Sequence, residues 1–110
     1  MTFTVSHSKK VTDFLQTIQK DEFHLVMDVR VTEKACFFGV EIIVKIVKKE
    51  VKNKKNMQDI SVGGVILLIS PEIIKYFPES KNLVLDLKGK LRKKIVCVNP
   101  KPIIKNICKI

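Results

Sequence analysis

The sequence predicts an α+β domain: a small, mostly antiparallel or mixed β-sheet with two short helices, in the order β-α-β-β-β-α-β-β. Three observations carry this. Alternation of apolar and polar residues with period 2 recurs along the chain, in LVMDVRV, FFGVEIIVKIV and LVLDL. Helical spacing occurs in only two segments. The connections between most strands are short, which suits hairpins and not long crossovers.

The elements follow in order. TFTV (2–5) is a short β-prone start, and Ser6 or Ser8 can cap the helix that comes next. In that helix Val11, Phe14, Leu15 and Ile18 stand at i, i+3, i+4 and i+7, one apolar stripe. EFHLVMDVRV is a strand with Leu25, Met27, Val29 and Val31 on one face and His24, Asp28 and Arg30 on the other. Residues 32–36 (TEKAC) break the alternation as a loop or sharp turn. A longer strand follows, with Phe38, Val40, Ile42, Val44 and Ile46 toward the core. Residues 48–59 have low hydrophobicity and read as a solvated loop or frayed strand end.

Gly63-Gly64 make a turn before VILLIS, a continuous apolar run and so a well-buried strand. They lack the flanking Lys-Ser/Thr of a phosphate-binding loop. Ser70-Pro71-Glu72 starts a second helix, with Pro at its first position and an acid in its first turn. Pro78 ends that helix. Leu83, Leu85 and Leu87 mark one face of the next strand, KGKLRKK is a basic turn, and IVCV is the last strand. Asn99-Pro100 closes it, and Pro102 is expected to keep the remaining residues out of the sheet. The whole chain, 1–110, reads as one domain, with 101–110 a C-terminal tail free to move.

Composition narrows the function classes. The formal net charge is +10, and all the basic residues except Arg30 and Arg92 are lysines. Base readout and bidentate phosphate contacts favour Arg, and the chain has no Trp and one Tyr for stacking on bases. Nucleic acid is therefore a minor expectation as partner. If it is bound, the candidates are Lys48, Lys49, Lys52, Lys54 and Lys55 in one turn and Lys88, Lys90, Arg92, Lys93 and Lys94 in the other. MTFTVSHSKK lacks the apolar core of a signal peptide, and no apolar run approaches the ~20 residues of a transmembrane segment. The expectation is a soluble, cytoplasmic protein with reduced thiols. No orienting third residue accompanies His7 or His24 to make a Cys–His pair with Cys36, so no enzyme is expected.

The three cysteines, Cys36, Cys97 and Cys108, do not have zinc-finger spacing, in which paired ligands lie two to four residues apart. Cys97 alternates with Ile95 and should face the core. Cys36 stands at a strand junction after Lys34, where a thiol can be exposed and made more acidic by the neighbouring charge. Cys108 lies in the tail between Lys105 and Lys109.

These segments, in this order, resemble the A-type iron–sulfur carriers, the HesB/IscA-like family. FTVSHSKKVTDFL is similar to the family's opening strand and first helix. FHLVMDVRVTEKACFFGVEIIV resembles its strand–loop–strand, with Cys36 at the first cluster cysteine. VGGVILLISPEIIKYFPESKNLVLDL resembles its buried strand, short helix and alternating strand, and IVCVNPKPIIKNIC its last strand, Asn-Pro and C-terminal cysteine motif. The resemblance implies a HesB-like fold and a metal site of Cys36 and Cys108. It implies iron or an iron–sulfur cluster as the bound group, a homodimer that pools four thiolates, and iron–sulfur client or donor proteins as partners.

The departures are specific. The family's Gly-Gly-Cys-Ser-Gly is here Lys34-Ala35-Cys36-Phe37-Phe38. Its Cys-Gly-Cys falls on Asn106, Ile107 and Cys108, and Cys97 falls on an aromatic core position. These departures keep open a degenerate HesB-like protein without a cluster, acting as a binding or structural module with Cys36 buried, and the two lysine-rich turns keep open a basic nucleic-acid-binding protein.

Overall fold

A computed structural model describes residues 3–18, 23–48 and 56–106. Its elements are β1 (Thr4–His7), α1 (Lys9–Ile18), β2 (His24–Lys34), β3 (Phe37–Val47), β4 (Gln58–Val62), β5 (Val65–Ile69), α2 (Glu72–Tyr76), β6 (Asn82–Lys88), β7 (Lys94–Asn99) and β8 (Ile103–Asn106). The expected fold class holds, a small mixed sheet domain with two short helices. The strands form two sheets, a five-stranded one in the order β4-β5-β2-β3-β8 and a three-stranded one in the order β1-β6-β7. Among the described residues only β1–β6 and β2–β5 pair in parallel.

Two strands are additional to the expected order. One is β4, placed by sequence partly in a solvated loop. It pairs with β5 across Gly63-Gly64, with Val62 opposite Val65. Both glycines take positive φ, +56° and +83°, so they form the two-residue turn of a tight hairpin. The Gln58 side chain fixes the outer edge of β4. Its amide accepts from the Phe3 N–H at 2.8 Å and donates to the Phe3 carbonyl at 2.9 Å.

The other is β8. Pro102 does not exclude the chain from the sheet: Ile103–Asn106 pair antiparallel with β3, from Val40↔Ile103 to Phe37↔Asn106. A proline just before an edge strand removes no ladder hydrogen bond, so it is compatible with pairing from the next residue on.

One core joins both sheets and both helices. It contains Val11 and Leu15 of α1, Leu25 and Met27 of β2, Leu67 and Ile69 of β5, Ile73 of α2, and Leu83 and Leu85 of β6. The predicted helix stripe holds, since Val11 and Leu15 are fully buried and Phe14 and Ile18 pack at the core margin. Two expected core residues do not reach it. Val31 and Ile46 are 42% and 46% exposed although their register partners Val40 and Leu25 are buried: β5 flanks β2 only at Leu25–Met27 and β8 flanks β3 only at Phe37–Val40, so each of the two has a neighbouring strand on one side alone.

Ser8 stands just before α1, but its hydroxyl donates to Asp86 on β6 at 2.9 Å and ties the helix start to the smaller sheet. The Asp86 carboxyl is held below its usual range, first by the Leu87 N–H and then by the Ser8 hydroxyl, with partial burial opposing and Lys10 and Lys88 assisting. A carboxyl depressed on folding stabilises the protein above about pH 4, and that contribution fades as pH falls through the folded value. Ser8→Ala should therefore reduce the loss of stability between about pH 6 and pH 3. Urea midpoints measured across that range check this, and an unchanged acid profile would contradict it.

Candidate metal centre

Pairing of Lys34 with Phe37 leaves Ala35 and Cys36 as the two-residue turn of the β2–β3 hairpin. The sequence placed a loop over 32–36, but Thr32, Glu33 and Lys34 remain in the strand. Ala35 adopts φ +41°, in the left-handed region that glycine occupies freely. An alanine holds this conformation here, at a cost of about 1–2 kcal/mol. Ala35→Gly should raise stability by about 0.5–1 kcal/mol, the removed strain less the added chain entropy, read as a higher urea midpoint.

Cys36 is exposed at this turn. A shallow hollow of about 300 Å³ lies against it, lined by Cys36, Phe37, Ile104, Lys105 and Asn106. The hollow exists because β8 runs antiparallel to β3 and carries the chain back to the hairpin tip. Asn106, opposite Phe37, is beside the turn. Phe37 lies over Gly39, where a Cβ would stand 3.1 Å from its ring, and remains 40% exposed, while Ile104 is 68% exposed. The site therefore has an apolar margin, which the strand pattern alone did not reveal. The signal was present in the apolar pair Ile103-Ile104, which can extend a sheet after Pro102.

Cys108 lies outside the described residues. The expectation of reduced thiols fails at Cys36, which is half of a disulfide; a thiol exposed at a hairpin tip is open to such pairing. Cys97 is free and half-buried on β7, as its periodicity indicates. Its thiol donates to the Asn99 carbonyl at 3.0 Å, and burial pushes its pKa up, so it stays protonated. Among the described residues no three His, Cys, Asp or Glu side chains gather to hold a metal ion.

The basic candidates divide. Lys90, Arg92, Lys93 and Lys94 are exposed on the β6–β7 turn, and Lys48 is exposed just after β3, whereas Lys49, Lys52, Lys54 and Lys55 lie outside the described residues. No helix among the described residues is long and apolar enough to cross a membrane.

This chain has the fold of the A-type iron–sulfur carriers. Among solved structures it is similar to Escherichia coli SufA, described as involved in biosynthesis of iron–sulfur clusters. The TM-score is 0.62 and the identity 14%, with 89% of this chain and 82% of that one covered. It is also similar to IscA with a [2Fe-2S] cluster, at TM-score 0.55 and 16% identity, over 88% of this chain and 83% of the other. No protein-family profile matches the sequence, and no curated protein matches it.

Proposed function

We propose that this chain takes part in iron–sulfur assembly as a carrier. In this reading it holds iron or an iron–sulfur cluster as cargo through Cys36 and Cys108 and hands it to a client protein without catalytic turnover. The observation that carries the reading is the β3–β8 register, which brings the C-terminal segment to the Cys36 turn. The two structural neighbours support it, one involved in cluster biosynthesis and the other bearing a [2Fe-2S] cluster.

The donor chemistry sets the stoichiometry. An iron–sulfur cluster takes about four thiolates, and Asn106 offers only a carboxamide, a poor match for thiophilic iron. Two chains sharing one cluster would supply the four, so a homodimer is part of the proposal. The Cys36 disulfide must first be reduced, with two electrons and two protons yielding two thiols that lose their protons on binding metal. A cytoplasmic dithiol reductant would provide this.

The second reading, a HesB-like module without a cluster, draws on Ala35 and Asn106, which replace a glycine and a ligand of the resembled family. It also expected a buried Cys36, and that residue is exposed. Anaerobic reconstitution of the reduced protein with iron and sulfide separates the two. The carrier reading expects charge-transfer absorbance with two irons and two sulfides per pair of chains, as in a [2Fe–2S] cluster. A colourless, metal-free protein after this treatment would favour the module.

A further inference from the structure

The turn between β6 and β7 has a second unexplained feature besides its charge. Leu91 is 100% exposed at its tip, the most exposed large apolar residue among those described. Five cations flank it within the seven residues Lys88–Lys94. The turn has a defined shape. Lys88 pairs with Lys94 at its base, and Gly89, at φ +112°, lets the backbone pass so close to the Arg92 carbonyl that a Cβ would fall 2.0 Å from that oxygen. A fixed turn thus holds one leucine outward among cations.

Beside it runs a groove of about 620 Å³ between α1 and the turn. Phe14, Leu87 and Leu91 form its apolar walls, and Lys10 and Lys93 stand among its lining residues with Asp13. Cations in the lining of the groove, together with an exposed apolar tip, suit a surface that is anionic outside and apolar just beneath.

We propose that the β6–β7 turn and the start of α1 form a docking surface for an anionic lipid bilayer. Leu91 enters the headgroup–acyl boundary while Lys90, Arg92, Lys93 and Lys10 meet the headgroup charges. Nucleic acid fits less well, since a protruding leucine would face phosphates, and the turn holds one Arg and no aromatic residue for stacking.

The placement also orients the candidate metal centre. Lys45, near the end of β3, and Lys94, at the start of β7, line one groove, so the basic turn lies toward the C-terminal end of β3. Cys36 precedes the other end of that 11-residue strand, some ~30 Å away at the rise of an extended chain. A chain docked through Leu91 would hold Cys36 away from the bilayer, open to a protein partner. The docking surface itself does not depend on the carrier reading.

Vesicle co-sedimentation of the full chain tests the proposal. Binding is expected to phosphatidylserine-containing vesicles and not to pure phosphatidylcholine, and it should weaken steeply with salt. Lys90→Glu with Arg92→Glu should weaken it by at least ~10-fold. Leu91→Ser should weaken it by about 10-fold or more, although it removes no charge. Lys90, Leu91 and Arg92 are all exposed, so both variants should keep the wild-type melting temperature. Equal binding to both vesicle types, full binding by Leu91→Ser, or displacement from vesicles by duplex DNA at equal phosphate would overturn the proposal.

Discussion

Cys36→Ser should abolish the visible absorbance that the reduced chain gains on anaerobic reconstitution with iron and sulfide. The substitution exchanges a thiolate for a hydroxyl that stays protonated near neutral pH and binds iron poorly. A pair of chains would then offer two cysteine donors where a cluster needs about four, and among the described residues no three His, Cys, Asp or Glu gather to stand in for them. Cys108→Ser should have the same effect. Cys97→Ser should leave the spectrum intact, because Cys97 is half-buried, bonded to the Asn99 carbonyl and kept protonated. Cys36 is exposed in a turn, so under reducing conditions its serine variant should fold within about 0.5 kcal/mol of wild type. Asn106→Cys should act in the opposite direction and slow the loss of cluster to a chelator. An unchanged spectrum in Cys36→Ser would remove Cys36 from the site, and a lost spectrum in Cys97→Ser would redraw it.

The position of Cys36 in a turn was legible in the sequence. Cys36 was marked by its place between two alternating strands, which forces a turn, and by Lys34 beside it. What the sequence did not disclose was the company of that turn. Ile103–Asn106 is only four residues long and follows a proline, so local patterning favoured a tail. Its pairing partner lies more than sixty residues earlier in the chain, and the gain from such pairing arises only once β3 is in place. Ala35 hid the turn in another way: its positive φ is imposed by the hairpin, not by its own preference.

The fold was more legible, because alternation over long strands is hard to misread. It failed where the apolar face was short. In β4 only Ile60 and Val62 face inward, behind a polar approach. The stronger clue was Gly63-Gly64, a pair suited to a tight hairpin that requires a strand on each side. The ends of β2 and β3 erred in the opposite sense, since periodicity assigns a face but not whether a strand flanks it on both sides.

Leu67→Ala should be the most destabilising of the substitutions considered, by about 3 kcal/mol, lowering the melting temperature by roughly 10–15 °C for a chain of this size. Leu67 is fully buried in β5, with Leu25 of β2 opposite it on one side and Ile60 of β4 on the other. Truncation leaves a cavity between strands that hold each other in register, so little collapse can relieve it. The same variant also separates the fold from the site. Leu25, beside Leu67, is nine residues along β2 from Lys34 at the hairpin tip, ~30 Å in extended chain. Below its melting temperature, Leu67→Ala should therefore take up iron and sulfide in the same ratio per chain as wild type. A melting temperature within about 2 °C of wild type would mean that the core is not closed around β5 as described. Reduced cluster content in the still-folded variant would mean that the Cys36 turn depends on the far end of the sheet, which the independence of such distant sites does not predict.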